Sequence, residues 1–193
     1  MIIGITGGTG CGKTTLLNSI EALGGLVIDC DAVYHRLLQT DAAMLSAIDG
    51  AFPGTVKDGA LDRKALGSIV FSDPDALLRL NAITHAAVKA EVLRLLDANP
   101  TLAAIDAIGL FEGGLAELCD VTVAVTAPTE MRLQRLMARD GITEEYARSR
   151  IAAQKDSAYF SKMCQYTLEN DNTEANFQTK CLAFFKELGI LEP

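Results

Sequence analysis

The sequence predicts an α/β fold built on a parallel sheet, and three observations predict it. Met1-Ile2-Ile3-Gly4-Ile5-Thr6 is an apolar run of strand length that leads straight into Gly7-Gly8-Thr9-Gly10-Cys11-Gly12-Lys13-Thr14. A helical pattern follows and gives way to a second short apolar run, Leu26-Val27-Ile28. Two more apolar runs, Leu102 to Asp106 and Val121 to Ala127, recur further on with helical patterns around them. Strand, helix and strand at this spacing require right-handed crossovers and hence parallel pairing.

The first loop matches G-x-x-x-x-G-K-[ST] in the frame that gives it meaning, strand before and helix after. Its four glycines let the backbone turn tightly and aim successive N–H groups inward, making a nest for phosphate oxygens. The helix that follows adds the positive end of its dipole at the same place. Gly8, Thr9, Gly10, Cys11 and Gly12 therefore read as a phosphate cradle, Lys13 as a compact charge for the β- and γ-phosphates, and Thr14 as a hydroxyl for Mg²⁺. Such a loop takes a nucleoside triphosphate.

The first helix is expected from Lys13 to Leu23, with Leu16, Leu17, Ile20 and Leu23 as its apolar stripe and Gly24-Gly25 as its stop. The second strand ends in Asp29-Cys30-Asp31, which brings both aspartates to the carboxyl rim of the sheet beside the loop. Asp31 is suited to accept a proton there, or to cap a helix starting at Ala32. Asp29 is expected to orient the loop or hold metal-bound water.

From Ala32 to Asn99 the pattern is helical almost throughout, broken between Gly50 and Gly59 by Pro53 and a turn at Lys57-Asp58-Gly59. Ser72-Asp73-Pro74 marks a helix start. Leu77, Leu80, Ile83 and Thr84 are expected on one side of that helix. This is too much helix for one crossover, so it reads as an inserted substrate domain.

Pro128-Thr129 open another helix, expected to reach Arg139 with Arg132, Arg135 and Arg139 on one face. Asp140-Gly141 turn, and a second helix carrying Arg148 and Arg150 returns. An arginine-rich hairpin beside a phosphate loop reads as a closing lid, because Arg forks neutralise a transferring phosphoryl group and closure excludes water. A charged, solvated hairpin is the alternative. Tyr166 to Glu169 is expected as a last short strand, Asn170-Asp171-Asn172 as its turn. A helix from Thr173 to Leu188 then buries Phe177, Cys181, Phe184 and Leu188.

Composition narrows the partners. The 193 residues are 49% apolar and carry a net charge of −8, the wrong sign for gripping a phosphate backbone, so no nucleic acid partner is expected. No apolar run is long enough for a membrane span. Five scattered cysteines without metal-ligand spacing point to free thiols in a reducing, cytoplasmic setting. Cys11, at a helix N-terminus, is expected to react with thiol reagents.

Taken together, the motifs resemble those of the dephospho-coenzyme A kinase family. They are Gly4 to Thr14; Val27-Ile28-Asp29-Cys30-Asp31; Leu61-Asp62-Arg63-Lys64-Ala65-Leu66 with Val70-Phe71; Leu80-Asn81-Ala82-Ile83-Thr84-His85; Leu110-Phe111-Glu112; Arg135 and Arg139-Asp140; and Ala147 to Gln154. The resemblance implies transfer of the γ-phosphoryl of ATP, with Mg²⁺, to the ribose 3′-hydroxyl of dephospho-coenzyme A, the final step of coenzyme A synthesis. It implies a P-loop nucleotide-kinase-like fold with a five-stranded parallel sheet, a helical substrate-binding insertion and a helical lid. The expected core is 1–31, 101–131 and 164–193, the insertion 32–100 and the lid 132–163.

The same resemblance implies residue roles. Asp31, Lys13 and Arg139 carry the chemistry. ATP meets residues 8–14 together with Thr15, Arg135, Arg139 and Asn170, and Thr14 holds the metal. The acceptor meets Asp31, Arg63, Phe71, His85, Glu112 and Arg150. The chain departs from the family pattern at His85-Ala86, Ile108-Gly109 and Cys164-Gln165. A kinase for another small acceptor is the nearest rival reading. A GTP-binding switch is a further one, through Asp106-Ala107-Ile108-Gly109, but no guanine-reading motif accompanies it.

Overall fold

The computed structural model describes residues 1–192; Pro193, the end of the expected core, lies outside the described residues. Its centre is a five-stranded sheet of β1 (Ile2–Thr6), β2 (Leu26–Asp29), β5 (Ala103–Asp106), β6 (Val121–Thr126) and β7 (Tyr166–Glu169), in the order β2-β5-β1-β6-β7. Every neighbouring pair is parallel. The register sets Asp29 beside Asp106 and Asp106 beside Ile5, so the carboxyl ends of three strands meet directly below the glycine-rich loop.

The two faces of the sheet carry different partners because side chains alternate along each strand. Ile3, Ile5, Val123 and Val125 face α1 (Lys13–Ala22) and α9 (Glu174–Glu187), packing on Leu16, Ile20, Phe177, Phe184 and Phe185. Gly4 faces the other way. A side chain there would strike Leu110 and Cys119, so its smallness lets the segment between β5 and β6 lie close over β1.

That second face belongs to four helices, α2 (Cys30–Thr40), α3 (Ala42–Ala51), α4 (Arg63–Val70) and α5 (Pro74–Leu96), which share one core with Ile28 and Ile105. A small hairpin of β3 (Val56–Lys57) and β4 (Ala60–Leu61) joins α3 to α4. Its turn needs left-handed backbone at Asp58 (φ 51°) and Gly59 (φ 76°), as the sequence suggested.

A third, smaller cluster, Leu133, Leu136 and Ala147, holds together the hairpin of α6 (Thr129–Asp140) and α7 (Glu144–Ala152). Gly141 turns between them at φ 64°. A further helix, α8 (Ser157–Met163), follows α7 and was not anticipated from the sequence.

Several expectations need correction. The first helix ends at Ala22, and Leu23 is exposed instead of completing the stripe. On α5 the buried line is Ala76, Leu80, Thr84, Val88 and Val92, spaced by four, so Leu77 turns outward. Of the two caps that Ser72-Asp73-Pro74 left open, the structure uses Asp73, which accepts from the N–H groups of Asp75 and Ala76. The helix after β2 starts at Cys30, and Asp29 is its cap, accepting from the Ala32 N–H at 3.0 Å. Asp31 is thereby freed of the capping task and sits in the first turn of α2.

Candidate active site

The glycine-rich loop leaves β1 at Thr6 and enters α1 at Lys13. Gly10 (φ 77°) and Gly12 (φ 92°) hold backbone that L side chains rarely adopt, and Gly12 caps α1 in the left-handed conformation. The loop is buttressed from outside. Asn170, 4% exposed at the end of β7, donates through Nδ2 to the Cys11 carbonyl at 3.0 Å. Arg135 joins it, donating to Asn170 Oδ1 at 3.0 Å and to the Gly10 carbonyl at 3.3 Å.

The inner side of the loop opens on a cleft of about 820 Å³. Residues 8–14 form its floor. Asp29, Asp31 and Asp106 line it as well, together with Arg135, Arg139, Arg150 and Gln154. A second cleft of about 260 Å³ continues from it, lined by Cys30, Tyr34, Asn81, Thr84, His85 and Val88 among others. Asp31 and Ile108 line both. Of these two, Asp31 is the ionisable one.

Charge is arranged to be completed by an anion. Lys13 donates from Nζ to the Gly7 carbonyl at 2.9 Å and lies 3.9 Å from Asp106 Oδ1. Burial pushes the Asp106 carboxyl up to about 6; the Lys13 charge opposes this, and Asp29 and Asp31 add to it. The same burial, with those three carboxylates nearby, pushes the Cys30 thiol up to about 12. At the end of α6 Asp140 accepts from Arg139 Nε at 2.7 Å and from Arg150 Nη1 at 2.6 Å, which holds both guanidinium groups at one edge. Those two partners hold the Asp140 carboxyl down at about 2.

A family model described as dephospho-CoA kinase matches residues 1–176. The chain belongs to the dephospho-CoA kinase family. A dephospho-CoA kinase of Anaeromyxobacter dehalogenans is 40% identical over 175 residues, covering 88% of this chain and 83% of its own. Among solved structures, a Thermus thermophilus protein superposes with a TM-score of 0.80 at 33% identity, covering 97% of each chain. A dephospho-CoA kinase from Campylobacter jejuni does so with 0.66 at 29%, covering 97% of this chain and 96% of its own. The chain, with its five-stranded parallel sheet, thus shares its P-loop kinase fold with these solved relatives.

Within this dephospho-CoA kinase family member, the residues singled out from sequence divide into three groups. Gly8, Thr9, Gly10, Cys11, Gly12, Lys13, Thr14, Asp31, Arg135, Arg139 and Arg150 meet in the larger cleft, and His85 lines the smaller. Thr15 and Asn170 sit behind the loop. The Thr15 N–H bonds the Gly12 carbonyl, and Asn170 is a buried brace. Arg63, Phe71 and Glu112 line neither cleft. Phe71 ends α4 and is 88% exposed; Arg63 starts α4, its charge felt by the Tyr34 hydroxyl; Glu112 accepts from Tyr159 Oη at 2.9 Å.

Two readings of side chains fail. Cys11 contributes backbone only, because its thiol is 1% exposed within the core beneath the loop. The alternative of a solvated hairpin fails at Arg132, which lies with Arg135 on the side of α6 that meets the glycine-rich loop. Arg132 is 4% exposed and donates from Nε to the Thr9 carbonyl at 2.9 Å. Sequence reasoning weighed Asp106 only within the rival switch motif, quoted Gln154 in a family motif without a role, and passed over Tyr34. For Asp106 the signal was available: a carboxylate closing a buried strand, as at Asp29, belongs to the ligand rim.

Proposed function

We propose that the protein transfers the γ-phosphoryl group of ATP to the ribose 3′-hydroxyl of dephospho-coenzyme A, completing coenzyme A. One observation carries the reading: Asp31 lies where the phosphate cleft and the smaller cleft join. A hydroxyl presented from the smaller cleft meets a phosphoryl held in the larger one at that carboxylate.

The loop amides and Lys13 hold the β- and γ-phosphates, as the open inward face of the loop permits. Asp31 orients the acceptor hydroxyl and takes its proton as the oxygen–phosphorus bond forms. The bond from the γ-phosphorus to the bridging oxygen breaks, and ADP departs. Arg135, Arg139 and Arg150 balance the charge spread over the equatorial oxygens, in a transfer whose catalysis is mostly placement and electrostatics. Their hairpin, α6–α7, acts as the lid over residues 1–31, 101–131 and 164–193, while the helices of 32–100 present the acceptor. Asn170 braces the nucleotide loop from behind, and His85 takes part in holding the acceptor. Arg63, Phe71 and Glu112 take part only if the acceptor extends beyond the smaller cleft.

The donor set fits Mg²⁺. Asp106 Oδ1 is the buried side-chain oxygen without a hydrogen-bond partner among the described residues, and it stands in the cleft with Asp31 and the Thr14 hydroxyl. No cluster of three His, Cys, Asp or Glu side chains forms a closed cage among the described residues. That suits an ion bound by few protein groups, waters and substrate phosphates. Thr14 would hold it directly and Asp31 or Asp106 through water. When bound, it neutralises phosphate charge.

The net charge of −8 supports small-molecule substrates over nucleic acid, and five unpaired cysteines support a reducing cytoplasm. No helix of the described residues is long and apolar enough to cross a membrane. The deciding experiment offers ATP, Mg²⁺ and a panel of acceptors to the protein and locates the new phosphate by mass spectrometry. Dephospho-coenzyme A phosphorylated at the 3′ position is expected. Phosphorylation of a nucleoside or sugar acid alone would overturn the proposal.

A further inference from the structure

We propose that Gln154 is a catalytic residue of the transfer described above, donating its side-chain amide N–H to an oxygen of the migrating phosphoryl group. The inference rests on that reading of the site.

Gln154 follows the end of α7 and lines the phosphate cleft. Its Oε1 accepts from the Thr9 N–H at 2.8 Å and from Arg132 Nη2 at 3.4 Å. Two donors can be met only by the oxygen, so the amide has one admissible orientation. Its Nε2 therefore points its hydrogens elsewhere. Among the described residues Nε2 has no protein partner, and it is not one of the sealed, unpartnered atoms.

The surroundings hold Gln154 in place. Arg132 bonds the carbonyl of the same residue, on the next peptide unit, so both backbone polar groups of Thr9 are held from the α6–α7 side. Arg132 forms no ion pair among the described residues, and its charge is balanced by carbonyl and amide oxygens alone. Gly8 makes the room. A side chain there would collide with the Arg132 guanidinium and come within 3.2 Å of Gln154 Oε1.

A donor fixed in this way costs no reorganisation when charge develops on the phosphoryl oxygens, which is where electrostatic catalysis gains most. It is also neutral. It strengthens as the oxygens gain charge without adding to the tight grip of Lys13 and the arginines on the ground state.

Three substitutions separate the donor from a bystander that merely anchors Thr9. Gln154→Glu keeps an acceptor for Thr9 and Arg132 but removes the donor. Gln154→Met and Gln154→Ala remove both. Steady-state kinetics with ATP and dephospho-coenzyme A, ADP binding and thermal unfolding are measured for each.

All three variants are expected to lose roughly 10²-fold in kcat, the scale of removing one preorganised donor. ADP, which lacks the γ-phosphoryl, should bind as to wild type. Near-wild-type kcat in Gln154→Glu, or in both Gln154→Met and Gln154→Ala, overturns the inference. So does weakened ADP binding that tracks the loss of kcat, because that assigns Gln154 to the loop alone. ADP affinity also reports on any variant whose unfolding temperature drops. Absence of turnover by the wild-type protein would strike the proposed function instead, and is read separately.

Discussion

The Lys13 ammonium stands 3.9 Å from Asp106 Oδ1 while donating to the Gly7 carbonyl. The carboxylate is nevertheless uncomfortable, because burial and two neighbouring aspartates outweigh the one cation. Its folded pKa, about 6, lies above the usual value, so the native state binds this proton more tightly than the unfolded chain does. The stability it confers is present below about pH 4 and is lost as pH rises through 6. Asp106→Asn should therefore stabilise the nucleotide-free protein at pH 7 by about 1–3 kcal/mol, the upper figure following from the size of the shift. The gain should vanish near pH 4. Thermal unfolding of both proteins across pH 4–8 checks this, and an equal gain at every pH would contradict it.

Asp29 and Asp31 are two residues apart and do different work. Asp31→Asn should lower kcat by about 10²–10⁴, the range of a lost general base, with little change in ATP affinity. Asp29→Ala removes a helix cap and should cost about 1 kcal/mol of stability. Kinetics and calorimetry on the pair would show the roles crossed if Asp31→Asn kept near-full turnover.

Gly12→Ala tests the brace behind the loop. At φ 92° the substitution strains the backbone, and the new methyl would overlap Asn170 Nδ2. A loss of about 1–3 kcal/mol in stability is expected, with ATP binding abolished in a nucleotide titration. Gly54→Ala, at φ 82° in open space, is the control that carries the backbone strain alone.

Cys11 should resist alkylation in the native protein whether or not ATP is present, since reagents do not reach a thiol 1% exposed. Peptide mapping after iodoacetamide treatment is expected to find it labelled only after unfolding. Labelling of the native protein would mean that the loop opens far more readily than its bracing suggests.

What the sequence made legible was whatever depends on near neighbours. Gly, Lys and Thr spacing announced the loop, apolar runs announced the strands, and Ser72-Asp73-Pro74 announced a helix start. Position 29 shows the limit of this reading. Asp29 and Asp31 are equally good caps on paper, and only the true helix start, one residue into Asp29-Cys30-Asp31, decides between them. Arg132 was placed with Arg135 and Arg139 because spacing gives a face and not what covers it. Its burial depends on the Thr9 peptide, 123 residues away in sequence. Asp106 was read only within a D-x-x-G motif; the strand end hinted at the ligand rim, but its closeness to Lys13 and Asp29 comes from sheet register.

The brace from Asn170 to the Cys11 carbonyl spans 159 positions of the chain. During synthesis the glycine-rich segment therefore leaves the ribosome 159 positions ahead of the side chain that steadies it. The loop is made well before the brace that completes it, a long-range closure that must wait for the intervening chain.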